Sequence, residues 1–185
     1  KQVADAFAIC IQAGAIVAVL GLYFPRVLQM ARGLVGRDPV GTRLVVAMVC
    51  GFLPAAVIGL TFKDWIKEHL FGLWPVVIAW IVGGIAILVV CRVRNRSAED
   101  RKAGIDLAEI TWKMALFIGV LQCVAMWPGT SRSLMTIVGG VLAGLTLRSA
   151  VEFSFLLGVL TLGAATAKDA LDSGHVAGAA LDVFV

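Results

Sequence analysis

The sequence predicts an all-α polytopic membrane protein, and three observations carry the prediction. Sixty per cent of the residues are hydrophobic and only 15% are charged. Mean hydropathy is +0.95, more apolar surface than a soluble domain of 185 residues can hide from water. The charged residues also gather in short connectors between apolar runs rather than spreading along the chain. In lipid, helices satisfy their own backbone hydrogen bonds, so such a chain reads as a set of transmembrane helices.

Val3–Phe24 is long enough for a first crossing, which needs about 20 residues. Leu44–Phe62 is a second, with Pro54 as an expected kink. Leu73–Cys91 is a third, and Gly83-Gly84 within it invites close approach of another helix. Met114–Trp127 and Leu134–Leu147 follow, each of about 21 Å as a helix against a hydrocarbon core of about 30 Å. Two half-length runs joined by a polar break predict a re-entrant helical hairpin. The competing reading extends the first run back through Lys113 to Ile110 and makes it an ordinary crossing. Val151–Ala167 is the last complete run.

Basic residues set the expected orientation. Arg26, Arg32, Arg37 and Arg43 lie between the first two crossings. Arg92, Arg94, Arg96, Arg101, Lys102 and Lys113 lie before the hairpin. Lysine and arginine in short loops favour the cytoplasm, so residues 25–43 and 92–113 are expected inside and residues 63–72 outside. The net charge of +4 thus reads as a topology signal, with no nucleic-acid partner. Residues 1–185 form a single integral membrane domain with no internal repeat visible. The opening at Lys1 without methionine and the end at Val185 inside an apolar run suggest a fragment cut at both ends.

Between the half-length runs stands Trp127-Pro-Gly-Thr-Ser-Arg-Ser133. An arginine at membrane depth costs roughly 2.5–3.5 kcal/mol on insertion scales, so it marks a site and has a partner. Pro128 and Gly129 stop one helix, and a new helix starts at Leu134 with unpaired amides at the positive end of its dipole. Those amides, the hydroxyls of Thr130, Ser131 and Ser133, and the forked guanidinium of Arg132 converge as a phosphate site requires. A bare N-cap beside a structurally paired arginine is the plainer alternative.

Glu152 is read as a counter-ion for Arg132, a metal ligand or proton carrier, or a helix-start residue at the interface. Gln12, mid-span in the first crossing, either bonds a neighbouring helix or lines the site. His69 and His175 lie in polar connectors without metal-ligand partners. Cys10, Cys50, Cys91 and Cys123 lie in or beside apolar runs without metal-site spacing and read as small buried hydrophobes. Trp65, Trp74, Trp80, Trp112 and Trp127 sit mostly near span ends, as interfacial anchors do.

The hydroxyl–arginine motif, followed by Thr136-Ile137 and then by Glu152-Phe-Ser-Phe-Leu-Leu157, resembles the bacterial undecaprenyl-diphosphate phosphatase, or bacitracin-resistance, family. Phe7 to Gly14 and Gly51-Phe-Leu-Pro-Ala-Ala56 resemble further segments of it in order. The resemblance implies two inverted halves, each with a re-entrant hairpin reaching a shared intramembrane site, in a multi-pass protein of the bacterial inner (plasma) membrane. It implies hydrolysis of undecaprenyl diphosphate to the monophosphate, which recycles the lipid carrier of cell-wall synthesis. Catalytic roles then fall to Arg132, Ser131, Ser133 and Glu152, and substrate contacts to Gly129, Thr130 and Gln12. A divalent metal, Mg or Ca, is expected on ligands upstream of Lys1, where the family's glutamate-rich motif with its serine and histidine belongs. No metal ligand is assigned within the chain. Expected partners are a polyprenyl diphosphate lipid, the bilayer and a second copy as homodimer. Leu134 stands where many members have glycine. The rival reading is a transporter or flippase of a phosphate or polyprenyl-phosphate head group.

Overall fold

The computed structural model describes residues 11, 14–62, 72–94 and 104–172. The helices are α1 (Gly14–Leu22), α2 (Phe24–Leu34), α3 (Pro39–Thr61), α4 (Leu73–Arg94), α5 (Trp112–Val124), α6 (Arg132–Leu142) and α7 (Leu147–Asp172), with a short 3-10 turn over Leu107–Glu109. The protein is an all-α polytopic membrane protein. Pro39–Thr61 and Leu147–Thr166 are each long and apolar enough to cross a membrane. The expected third crossing falls on the 22-residue α4, in which Leu73–Ile85 is an apolar helical stretch.

The first expected crossing and the loop after it need correction. Helix α1 ends at Leu22, and the chain bends by 82° into α2, so residues 25–43 are largely helical. Pro25 supplies a pre-set φ in the first turn of α2, where a missing amide costs nothing. A tight turn with Gly36 at φ +73° then leads to Asp38, whose carboxylate caps α3 by accepting from the Val40 and Gly41 amides at 2.9 and 3.2 Å. Helix α3 therefore starts at Pro39 rather than Leu44, and it continues through Pro54 as one element.

Packing explains why α3 bears no polar face. Leu44, Ala47, Met48, Gly51 and Ala55 are buried inside, whereas Val46, Val49, Leu53, Val57 and Leu60 are exposed. In lipid the exposed stripe costs nothing, so small residues select the inner face by letting backbones approach. Gly119 of α5 rests against the Gly51 backbone, leaving no room for a side chain. Phe153 and Leu157 of α7 fill the same core. Between α6 and α7, the Thr136 and Ser154 hydroxyls are hydrogen-bonded at 2.6 Å in the buried interior.

The hairpin takes shape as α5 and α6, of 13 and 11 residues, joined by residues 125–131. Thr111 caps α5, so the helix reaches back past Lys113 to Trp112 but no further, and it stays too short for an ordinary crossing. The second run ends at Leu142 rather than Leu147, because Gly144 at φ +100° turns the chain into α7, which begins at Leu147 rather than Val151. There Ile105 donates to the Gly144 carbonyl and Thr146 donates to that of Ile105, at 2.9 and 3.2 Å. This clamp ties the hairpin's open end to the segment preceding it. Arg43 donating to the Ala108 carbonyl at 3.4 Å joins the two stretches that the basic residues assign to the cytoplasm.

Candidate functional site

Arg132 occupies the first position of α6, directly after the N-cap Ser131. The new helix thus begins two residues before Leu134. Its half-buried guanidinium reaches across to α7 and lies 2.9 Å from where a Cβ of Gly158 would stand. Gly158 is eleven residues beyond Leu147, which places the contact about 16 Å along α7. That is near the middle of a hydrocarbon core of about 30 Å. Among the described residues the guanidinium has no carboxylate and no hydrogen-bond partner; the ion pair present is Arg26 with Glu152.

Beside Arg132 opens a cavity of about 400 Å3. Its walls come from the later halves of α3 (Ala55, Ala56, Gly59) and α7 (Thr161, Ala164) and from the end of α5. The cavity therefore lies on the side of the hairpin tip away from the Arg43, Asp106 and Arg148 end. Gln122, Arg132 and Thr161 are its polar side chains, and the rest of the lining is apolar.

The hairpin tip brings Gly129, Thr130, Ser131, Arg132 and Ser133 together, but their groups are not equally open. The Thr130 hydroxyl donates to the Trp127 carbonyl at 2.6 Å and closes the end of α5. The Ser131 hydroxyl accepts from the Leu134 amide at 3.4 Å as the N-cap. The exposed Ser133 hydroxyl has no partner among the described residues, and the first amides of α6 lack helical acceptors. Gly129 adopts φ +96°, packed so closely against Val76 and Trp80 that no side chain fits without strain. The Trp127 indole donates to the Pro75 carbonyl at 3.0 Å, which anchors the tip to α4.

Glu152 is not the counter-ion of Arg132. Its carboxylate accepts from Arg26 Nε at 2.9 Å, and Arg26 also donates to Gln29 at 3.0 Å. Tyr23 stacks on Phe155 beside them, with ring centroids 6.1 Å apart. Glu152 therefore holds the α2 bend on the first turns of α7, apart from the hairpin tip. Gln12 lies outside the described residues, as do His69 and His175. Gln122 went unnoticed in the sequence, although one carboxamide in the apolar run Met114–Trp127, ten positions before Arg132, was its signal.

Around Arg132 the described residues offer a guanidinium, a carboxamide and hydroxyls, with no carboxylate. No group of three or more His, Cys, Asp or Glu among them is placed to hold a metal ion. This donor set does not fit a divalent cation.

Residues 1–184 match the protein family described as "Bacitracin resistance protein BacA". Among curated relatives, the undecaprenyl-diphosphatase of Sorangium cellulosum (strain So ce56) is 46% identical over 175 residues, which cover 95% of this chain and 56% of that protein. "Undecaprenyl-diphosphatase 2" of Rhodospirillum rubrum is 47% identical over 169 residues, 91% of this chain and 60% of the relative. The protein of the same name from Shewanella oneidensis is 40% identical over 170 residues, 92% and 62% respectively. The chain thus spans about three fifths of the length of these relatives. An arginine at the start of a half-length helix, facing a cavity at membrane depth, is set within a sequence match running almost end to end. The chain belongs to the BacA bacitracin-resistance family.

Proposed function

We propose that the protein containing this chain hydrolyses undecaprenyl diphosphate to undecaprenyl phosphate and inorganic phosphate. It would act in the bacterial inner membrane and so recycle the carrier lipid of cell-wall synthesis. The observation that carries this reading is the Arg132 guanidinium, without a counter-ion among the described residues and facing an otherwise largely apolar cavity. The names of the relatives supply the substrate.

The open groups at the hairpin tip each have a task in this reading. The Arg132 fork holds two diphosphate oxygens, and the amides at the start of α6 meet the same charge with the positive end of the helix dipole. The Ser133 hydroxyl adds a donor. Fixed donors in a site from which water is excluded stabilise charge that develops during phosphoryl transfer, the main contribution available to this chemistry. The prenyl tail lies along apolar helix faces. The cavity opens between the later halves of α3 and α7, so the head group enters from the end opposite the charged connectors.

The test is phosphate release from undecaprenyl diphosphate by the full-length protein in detergent. Arg132→Ala abolishes turnover, and Arg132→Lys, which keeps charge but loses the fork, recovers only a small part of it. Near-normal release by Arg132→Ala, or movement of the lipid head group without hydrolysis by the unaltered protein, overturns the proposal.

A further inference from the structure

The cavity beside Arg132 contains a second polar side chain, that of Gln122. Gln122 sits on the buried face of α5 with Ala115, Ile118 and Gly119, and it is 3% exposed. Its Oε1 has no hydrogen-bond partner among the described residues. A buried acceptor without a partner is unfavourable and rare, so it calls for a donor that is not part of the fold described.

The neighbouring polar groups leave that role to something else. The Thr161 hydroxyl donates to carbonyls of its own helix, those of Leu157 and Gly158, at 2.9 and 3.1 Å. Arg132 presents donors only, and they suit ionised phosphate oxygens. A hydrated or protonated phosphate also brings O–H groups, which need an acceptor. Gln122 lines the cavity wall, its Oε1 is buried there without a donor among the described residues, and the same carboxamide carries two N–H donors.

We infer that Gln122 is a further contact of the phosphorylated head group, with Oε1 accepting from an O–H at the phosphorus while Nε2 donates to a phosphate oxygen. The inference rests on the phosphate site proposed above. The O–H belongs either to a protonated phosphate oxygen or to the attacking water, and kinetics separate the two sources.

The experiment compares Gln122→Leu and Gln122→Asn with the unaltered full-length protein in detergent. Phosphate release from undecaprenyl diphosphate is followed alongside thermal unfolding with and without methylenediphosphonate. Loss of one hydrogen bond predicts about a tenfold effect in Gln122→Leu. A KM raised with kcat kept assigns the contact to the phosphate, and a kcat lowered with KM kept assigns it to the water. Either result is accompanied by a Tm no lower than that of the unaltered protein, because an unpaired acceptor has been removed, and by partial recovery in Gln122→Asn. Methylenediphosphonate stabilises the unaltered protein more than it stabilises Gln122→Leu. This binding readout is independent of turnover, so it still tests Gln122 if hydrolysis itself proves absent. Kinetic constants and methylenediphosphonate stabilisation all within twofold of the unaltered protein overturn the inference. So does a lower Tm in Gln122→Leu with activity lost in proportion, which would make the carboxamide a packing element.

Discussion

The guanidinium of Arg132 lies over Gly158, with Nη2 2.9 Å from the point a Cβ on that glycine would occupy. The bare backbone of α7 thus forms the floor on which the arginine rests. The neighbouring atom is the far end of a flexible side chain, so a methyl there fits by pushing the guanidinium aside rather than by disturbing the helices. Gly158→Ala should leave Tm within 1–2 °C, about the effect of a surface change. It should lower phosphate release about tenfold, since a 1 Å displacement of a positioning group costs up to about a hundredfold. Unchanged release with normal folding would show that the position of Arg132 is not set by this contact.

Gly119 presents the opposite case. A Cβ there would overlap the carbonyl of Gly51, backbone against backbone, where no rotamer change gives relief. Helix association in lipid depends on such close approach, because lipid and side chain are equally apolar. Gly119→Val should therefore separate α3 from α5 and lower stability by at least the roughly 1–3 kcal/mol typical of overpacking. Thermal unfolding of the purified protein measures it, and a Tm equal to that of the unaltered protein contradicts the close packing.

Hydropathy and the polar break made the crossings at α3 and α7 and the hairpin between them legible, because length follows directly from the thickness of the bilayer. Helix α2 was not, since Arg26 and Arg32 read as a topology signal and masked its other periodicity. Pro25 at the helix start and Val27, Met30 and Leu34 on one face carried that information. The motif Thr130–Ser133 reads in sequence as one set of equivalent hydroxyls, yet only geometry distinguishes the open Ser133 from Thr130 and Ser131, whose hydroxyls serve the backbone. Glu152 misled because an acid twenty residues after Arg132 suggested a counter-ion. Its actual partner, Arg26, is 126 positions away in the chain, and no local pattern encodes that pairing.

That pairing can be tested directly. The Arg26 and Glu152 side chains are 26% and 13% exposed, so the pair is largely removed from solvent and loss of either partner strands a charge. Arg26→Met and Glu152→Gln should each lower Tm, and the double variant should lose less than the sum of the two. A double-mutant cycle should give a coupling of about 0.5–3 kcal/mol. With Arg132 untouched, Glu152→Gln should retain measurable phosphate release, unlike Arg132→Ala. Additive losses with abolished release in Glu152→Gln would return the carboxylate to the reaction centre.

Acid sensitivity should arise at the turn before α3. The Asp38 carboxyl is held below its usual range: the hydrogen bond from the Gly41 amide outweighs the opposing desolvation, and Gln29, the Val40 amide and Arg32 add to the lowering. A carboxyl whose pKa is lower in the folded state binds protons more readily when unfolded, so stability rises with pH across the window between the two values. The contribution of Asp38 is complete above the unfolded carboxyl pKa of about 3.9 and disappears as pH falls through the lower folded value. Asp38→Ala removes both the charge and the cap on the Val40 and Gly41 amides. The Tm difference between unaltered protein and variant should therefore be constant from pH 7 down to about 5 and shrink below about 4. A difference that widens on acidification would mean that the carboxyl is protonated in the folded turn and caps α3 as a neutral acid.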